Sequence, residues 1–187
     1  LLCTYETGTG KTRGALYAAA TWIRNGALVS GKYSRLVFCL ASKATMAQWV
    51  EAWQGLVAQY AAAGDDKFQD LGEKKFKIEI GRQASLMRVG NLILCTPGAL
   101  RRYGTDLGKA YGPRKQFMFI YDEAHSVRTL QEERQAKTIQ YLLHFAAFCG
   151  YVLLLTATPI MNSLSDLNIL HAFLNKKTIT MIFKSDI

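Results

Sequence analysis

This sequence predicts an α/β fold with a mostly parallel sheet and helices on both faces. Three observations carry that expectation. Short, continuous apolar runs alternate with longer segments of helical periodicity, the pattern of strands joined by crossover helices. The runs Phe117-Met118-Phe119-Ile120-Tyr121 and Tyr151–Leu155 lack polar alternation, as strands covered on both faces require. A glycine-rich turn stands at the head of the first helical segment, near the start of the chain.

Taken in order, the elements read as follows. From Thr12 to Arg24, Leu16, Ala19, Ala20 and Ile23 recur at helical spacing, and Gly26 supplies a stop. Leu36–Leu40 reads as a strand. Ala44–Tyr60 reads as a helix whose Met46, Trp49, Val50, Trp53, Val57 and Tyr60 form one apolar face, a core stripe rather than a platform for stacking bases. Lys74-Lys75-Phe76-Lys77 reads as the solvated edge of a strand continuing to Ile80. Asn91–Cys95 is the next strand, broken by Thr96-Pro97-Gly98, and residues 104–116 form a loop. Leu130–Cys149 is a long helix, Tyr151–Leu155 a buried strand and Ser165–Leu174 a final helix. No internal repeat interrupts this order.

Composition narrows the class. A chain of 187 residues, half of them apolar and only three of them proline, is one globular domain with a sizeable core. No apolar run reaches the ~18–20 residues of a membrane span, and no signal peptide is present. Cys3, Cys39, Cys95 and Cys149 lie far apart beside apolar neighbours, without a C-x-x-C pair; they read as buried free thiols of a reducing compartment, not as a zinc site. The 23 basic and 14 acidic residues give a net charge of +9, which suits a polyanionic partner such as nucleic acid, although lysines also serve simply to solvate a surface.

The glycine-rich turn has the chemistry to cradle phosphates. Gly8 and Gly10 permit backbone conformations that bring successive N–H groups against an anion. Lys11 adds a charge for β- and γ-phosphates, Thr12 an oxygen for Mg²⁺, and the helix start its positive dipole end. The full pattern G-x-x-x-x-G-K-[ST] asks for glycine at position 5, where this chain has Tyr5. Only Leu1-Leu2-Cys3-Thr4 precede the turn, which reads as a fragment of a longer protein.

Asp122 and Glu123 answer that turn from the C-terminal end of the strand at 117–121, the end where open α/β sheets bind ligands. Asp122 is placed for Mg²⁺ and Glu123 to orient and deprotonate an attacking water. The alternative is an acidic turn that merely caps the next helix.

Several segments together resemble the first RecA-like lobe of superfamily-two helicases and translocases. Thr7-Gly8-Thr9-Gly10-Lys11-Thr12 resembles motif I of that group, and Asp122-Glu123-Ala124-His125 spells the DEAH box of motif II. Thr156-Ala157-Thr158 is similar to motif III and Thr96-Pro97-Gly98 to motif Ib. Two segments are similar to the Swi/Snf-type branch, which moves on duplex DNA, and to transcription-associated ATPases of large DNA viruses. These are Leu36-Val37-Phe38-Cys39-Leu40-Ala41-Ser42 with Gln48-Trp49, and Leu155-Thr156-Ala157-Thr158-Pro159-Ile160-Met161-Asn162, where Ala157 replaces the usual glycine. Thr96-Pro97-Gly98 is more like RNA helicases.

The resemblance implies a P-loop NTPase using ATP and Mg²⁺, with Lys11, Asp122 and Glu123 catalytic. It implies nucleotide contacts from Thr7, Gly8, Thr9, Gly10, Lys11 and Thr12, and a metal at Thr12 and Asp122. It gives His125, Thr156 and Thr158 a coupling role, though His125 also reads as an ordinary helix-start residue. It places Ser42, Lys43, Thr96, Gly98, Arg101 and Arg102 against a nucleic-acid backbone, DNA favoured over RNA; for the arginines a solvated face is the alternative. Residues 1–174 form the ATP-binding lobe and 175–187 a tail toward a second RecA-like lobe, which would bring the arginine finger. The location implied is intracellular, in cytoplasm or nucleus, or in a virion or viral factory, with no membrane partner. A nucleotide-dependent scaffold without hydrolysis, and a P-loop NTPase outside the helicases, are the competing readings.

Overall fold

The structure, a computed structural model, describes residues 1–4, 10–26, 28–29, 32–33, 35–64, 75–77, 87–89, 91–102, 104, 116–128, 133–157 and 166–175. Strand β1 (Leu2–Thr4) leads to helix α1 (Lys11–Arg24), and a short antiparallel pair follows, β2 (Leu28–Val29) with β3 (Lys32–Tyr33). Then come β4 (Leu36–Leu40), α2 (Met46–Ala62), β5 (Lys75–Lys77), β6 (Met87–Val89) and β7 (Leu92–Cys95). A helical segment at 97–102 precedes β8 (Phe117–Tyr121), which ends in a 3₁₀ turn (Ala124–Arg128). Helix α3 (Glu133–Phe148), β9 (Tyr151–Thr156) and α4 (Asp166–Asn175) close the described chain.

Seven strands form one sheet in the order β1-β9-β8-β4-β7-β6-β5. The first five pair in parallel, and β6 and β5 add an antiparallel edge. The expected mostly parallel sheet is therefore present, and the basic strand at Lys75–Lys77 does lie at its edge.

Successive residues of the central strands point to opposite faces and make two cores. Phe38, Ile93, Phe117, Phe119 and Leu154 pack on one face with residues of α3 and α4, such as Phe145 and Phe173. Val37, Cys39, Leu94, Ile120 and Leu155 pack on the other with Leu16 and Ile23 of α1 and Trp49, Trp53 and Val57 of α2. All five residues of β4 and of β8 are buried, as the unbroken apolar runs require. Tyr151, expected inside, starts β9 in an exposed position.

Local chemistry fixes several ends. Gly26 follows α1 where a Cβ would stand 2.8 Å from Arg35 Cγ. Arg35 lies over the Trp22 ring at 4.3 Å and donates to the Trp22 carbonyl, pinning the end of α1. Pro97 opens the helical segment at 97–102, a position where its missing N–H costs nothing; the sequence pattern predicts only a break there, and Gly104, expected to begin a loop, is helical. Within the long helix expected at 130–149, the structure describes Glu133–Phe148. No helix among the described residues is long and apolar enough to cross a membrane.

Candidate functional site

Because β1, β9, β8, β4 and β7 run parallel, all their carboxyl ends emerge at one rim of the sheet. Gly10 at the head of α1, the Asp122-Glu123 pair after β8, Thr156 at the end of β9, Ser42 after β4 and Thr96 after β7 thus share that rim. Open α/β sheets bind ligands there.

Gly10 enters α1 in the left-handed region, φ 87°, and among the described residues no side chain caps the helix. Its first amides remain available to an anion, with the helix dipole behind them. Lys11 stands at that start and directs Nζ to within 3.4 Å of Glu123 Oε1. The Lys11 side chain is largely buried and that of Glu123 is about half exposed, so the pair spans the mouth of the site. Thr12, half-buried, follows in the first turn. Thr7, Gly8 and Thr9 lie outside the described residues, as does Thr158.

Asp122 continues the strand ladder, donating its backbone N–H to Leu40 O at 2.9 Å. Its carboxylate accepts two bonds, from Trp49 Nε1 to Oδ2 at 2.9 Å and from the Glu123 backbone N–H to Oδ1 at 3.1 Å. Burial holds this carboxyl above its ordinary range. The Trp49 bond opposes that shift, the Glu123 charge adds to it, and the Glu123 N–H and Lys11 pull against it.

Glu123 sits at φ 51°, the left-handed region that costs a non-glycine residue about 1–3 kcal/mol. The turn beyond it holds this conformation: Ala124 is fully buried, Ser126 N–H donates to Glu123 O at 2.9 Å, and Ser126 Oγ lies 3.4 Å from the Tyr121 hydroxyl. Glu123 Oε2 is 3.0 Å from His125 Nδ1, and the same nitrogen is 3.1 Å from Thr156 Oγ1. Thr156 is completely buried. One contact chain therefore runs Lys11–Glu123–His125–Thr156 across three elements distant in sequence.

The donor set fits a hard divalent cation. Thr12 offers a hydroxyl and Asp122 a carboxylate, both oxygen ligands of the kind Mg²⁺ prefers, and a nucleotide-bound Mg²⁺ takes its remaining ligands from phosphates and water. Asp122, partly desolvated beside a second carboxylate, is a charge that such a cation would stabilise.

The residues expected against nucleic acid flank this site on adjacent strands. Ser42 and Lys43 are exposed after β4, and Ser42 Oγ accepts the Thr45 N–H at 3.2 Å. Thr96 Oγ1 accepts the Ala99 N–H at 3.2 Å, capping the segment that carries exposed Gly98, Arg101 and Arg102. Both hydroxyls thus have a local structural use.

The model of the family DEAD/DEAH box helicase matches residues 1–167. The chain belongs to that family. It is the first, RecA-like lobe of a superfamily-two helicase, a nucleic-acid-dependent ATPase motor; such domains use ATP with Mg²⁺. Comparison with curated proteins returns no match.

The reading of Trp49 as core only is incomplete: the residue is 1% exposed, yet its indole N–H reaches Asp122. The signal was available, since a buried indole N–H needs an acceptor.

Proposed function

We propose that this lobe is the ATP-binding half of a translocase that moves on duplex DNA, serving transcription of the kind found in large DNA viruses. The observation that supports it is the contact chain Lys11–Glu123–His125–Thr156 beside Asp122 at the carboxyl rim of the sheet. The DNA preference rests on the similarity of Leu36–Ser42 and Leu155–Asn162 to the Swi/Snf-type branch and on the +9 net charge.

In this reading the turn through Thr7, Gly8, Thr9 and Gly10 and the first amides of α1 hold the phosphates, and Lys11 places its charge on them. Thr12 and Asp122 would hold Mg²⁺, which would neutralise phosphate charge. Glu123 accepts a proton from the attacking water, which its neighbours His125 and Lys11 keep aligned. His125 is the relay: its Nδ1 lies within reach of both Glu123 Oε2 and Thr156 Oγ1, so it transmits the state of the phosphate site to the segment through Thr158. Ser42, Lys43, Thr96, Gly98, Arg101 and Arg102 hold the DNA backbone.

Residues 1–174 form this lobe and 175–187 lead to a partner lobe carrying an arginine finger, whose loss costs ~10³–10⁵ in turnover. The 187 residues alone would bind ATP weakly and hydrolyse it slowly. The setting is intracellular.

ATP turnover of the full-length protein with duplex DNA, single-stranded DNA and RNA tests the proposal. Duplex DNA is expected to stimulate most, less so as salt rises, with stimulation abolished in Lys11→Ala. Turnover indifferent to every nucleic acid would favour a scaffold instead, and stimulation by RNA alone would reverse the choice of track.

A further inference from the structure

Helix α2 carries two tryptophans one turn apart, Trp49 and Trp53, 1% and 0% exposed in the same core. They differ in one respect. Among the described residues the Trp53 Nε1 has no hydrogen-bond partner, whereas the Trp49 Nε1 donates to Asp122 Oδ2 at 2.9 Å. The indole is itself held in place: the Trp49 backbone N–H donates to Thr45 O at 3.1 Å, and Thr45 is bonded to Ser42 through side chain and backbone. Asp122 is thus gripped from two sides, by the rigid α2 through Oδ2 and by the Glu123 backbone through Oδ1.

We propose that Trp49 is a positioning residue for the metal-binding carboxylate, its indole N–H fixing Asp122 in the orientation that receives Mg²⁺. The inference rests on the reading of Asp122 as the metal ligand. A side-chain carboxylate rotates about its terminal bond, and the Trp49 donor on Oδ2, added to the Glu123 N–H on Oδ1, leaves the remaining lone pairs facing a defined direction. An indole suits this role because it donates one bond, carries no charge to compete with the cation, and cannot itself ligate the metal. Partners of this kind typically contribute 10–100-fold to metal affinity.

The pair of tryptophans supplies its own control. Trp49→Phe and Trp53→Phe remove the same ring atoms from neighbouring turns of one core, but only the first removes a bond to Asp122. Binding of a fluorescent ATP analogue to the 187-residue chain, titrated with Mg²⁺, is the assay. Trp49→Phe is expected to raise the Mg²⁺ concentration for half-maximal response ~10-fold or more, with Mg²⁺-free nucleotide binding unchanged. Trp53→Phe is expected to stay near wild type.

A second readout needs no altered chain to function. Three tryptophans give three indole N–H resonances in a ¹⁵N spectrum. With Trp22 and Trp53 assigned by their own phenylalanine variants, the Trp49 resonance should shift when Mg²⁺ joins bound nucleotide while that of Trp53 stays.

Equal losses in the two variants, or a Trp49 resonance indifferent to Mg²⁺, would overturn the inference and leave the ATPase reading standing. Wild-type nucleotide binding that ignores Mg²⁺ altogether would instead remove Asp122 from the metal site, and the inference with it.

Discussion

Replacing Glu123 by glutamine keeps the size and shape of the side chain and removes one charge. The structure says how little this should cost the fold. Glutamine inherits the φ of 51°, so the backbone strain is common to both proteins and cancels. The ion pair with Lys11 spans 3.4 Å, but the Glu123 side chain is 45% exposed and the pair is screened, worth at most about 1 kcal/mol. In a chain of this size that corresponds to roughly 2–4 °C in Tm. Catalysis should respond on another scale. An amide cannot take the proton from water, and loss of a positioned base typically costs ~10²–10⁴-fold. Lys11 keeps its place at the start of α1, so ATP should still bind. Nucleic-acid-stimulated phosphate release, nucleotide Kd and thermal unfolding, measured on one preparation, separate these effects. A Glu123→Gln protein turning over within about threefold of wild type would refute the assignment of the base, because nothing else at that position could do the same work.

Three further outcomes follow from the packing and electrostatics. Phe145 meets the rings of Phe38, Phe117, Phe119 and Tyr141 at centroid distances of 5.2–6.4 Å, so Phe145→Ala should lose about 3–5 kcal/mol in denaturant unfolding; a loss under about 1 kcal/mol would show that core to be loosely packed. Asp122 has a folded-state pKa above the ordinary 3.8, so its favourable contribution is complete below 3.8 and disappears as pH rises through the folded value. Without nucleotide, Asp122→Asn should therefore exceed wild type in Tm at neutral pH, and the gap should close on acidification; a constant difference across pH would contradict this. Cys39, Cys95 and Cys149 are buried, and burial pushes the Cys39 and Cys95 thiols far up, so iodoacetamide should spare all three in the native protein and label them in guanidinium, as peptide masses would report.

What was legible in the sequence was whatever a local pattern determines. The strands at 36–40 and 117–121 match their expected limits because each is a run of five apolar residues that begins after a polar residue, Arg35 or Gln116, and gives way to polar residues within two positions of its end. Helix α2 begins at Met46 rather than Ala44, since Ser42 and Thr45 bond each other and spend those residues on a turn. Strand β1, the β2–β3 pair and β6 escaped notice: three residues or fewer carry no period, and their pairing partners lie far along the chain or in equally short segments. At the candidate site, residue types were readable while contacts were not. Lys11, Glu123, His125 and Thr156 could be named from their motifs, but which atoms meet depends on strand order, which apolar periodicity does not encode. Trp49 was hidden because its bulk satisfied one explanation and its N–H required a second.

The position of β1 carries a consequence for biosynthesis. Among the described strands its one neighbour is β9, the last of them to be made, which wedges between β1 and β8. A growing chain released only as far as α3 can assemble β4, β7 and β8, yet it has no berth for Leu2–Thr4. Those residues must wait, loosely tethered, until Tyr151–Thr156 leaves the ribosome. If the start of α1 holds a triphosphate as proposed, that competence arrives only in this late step, and a chain cut short before that strand would be folded in its middle without it.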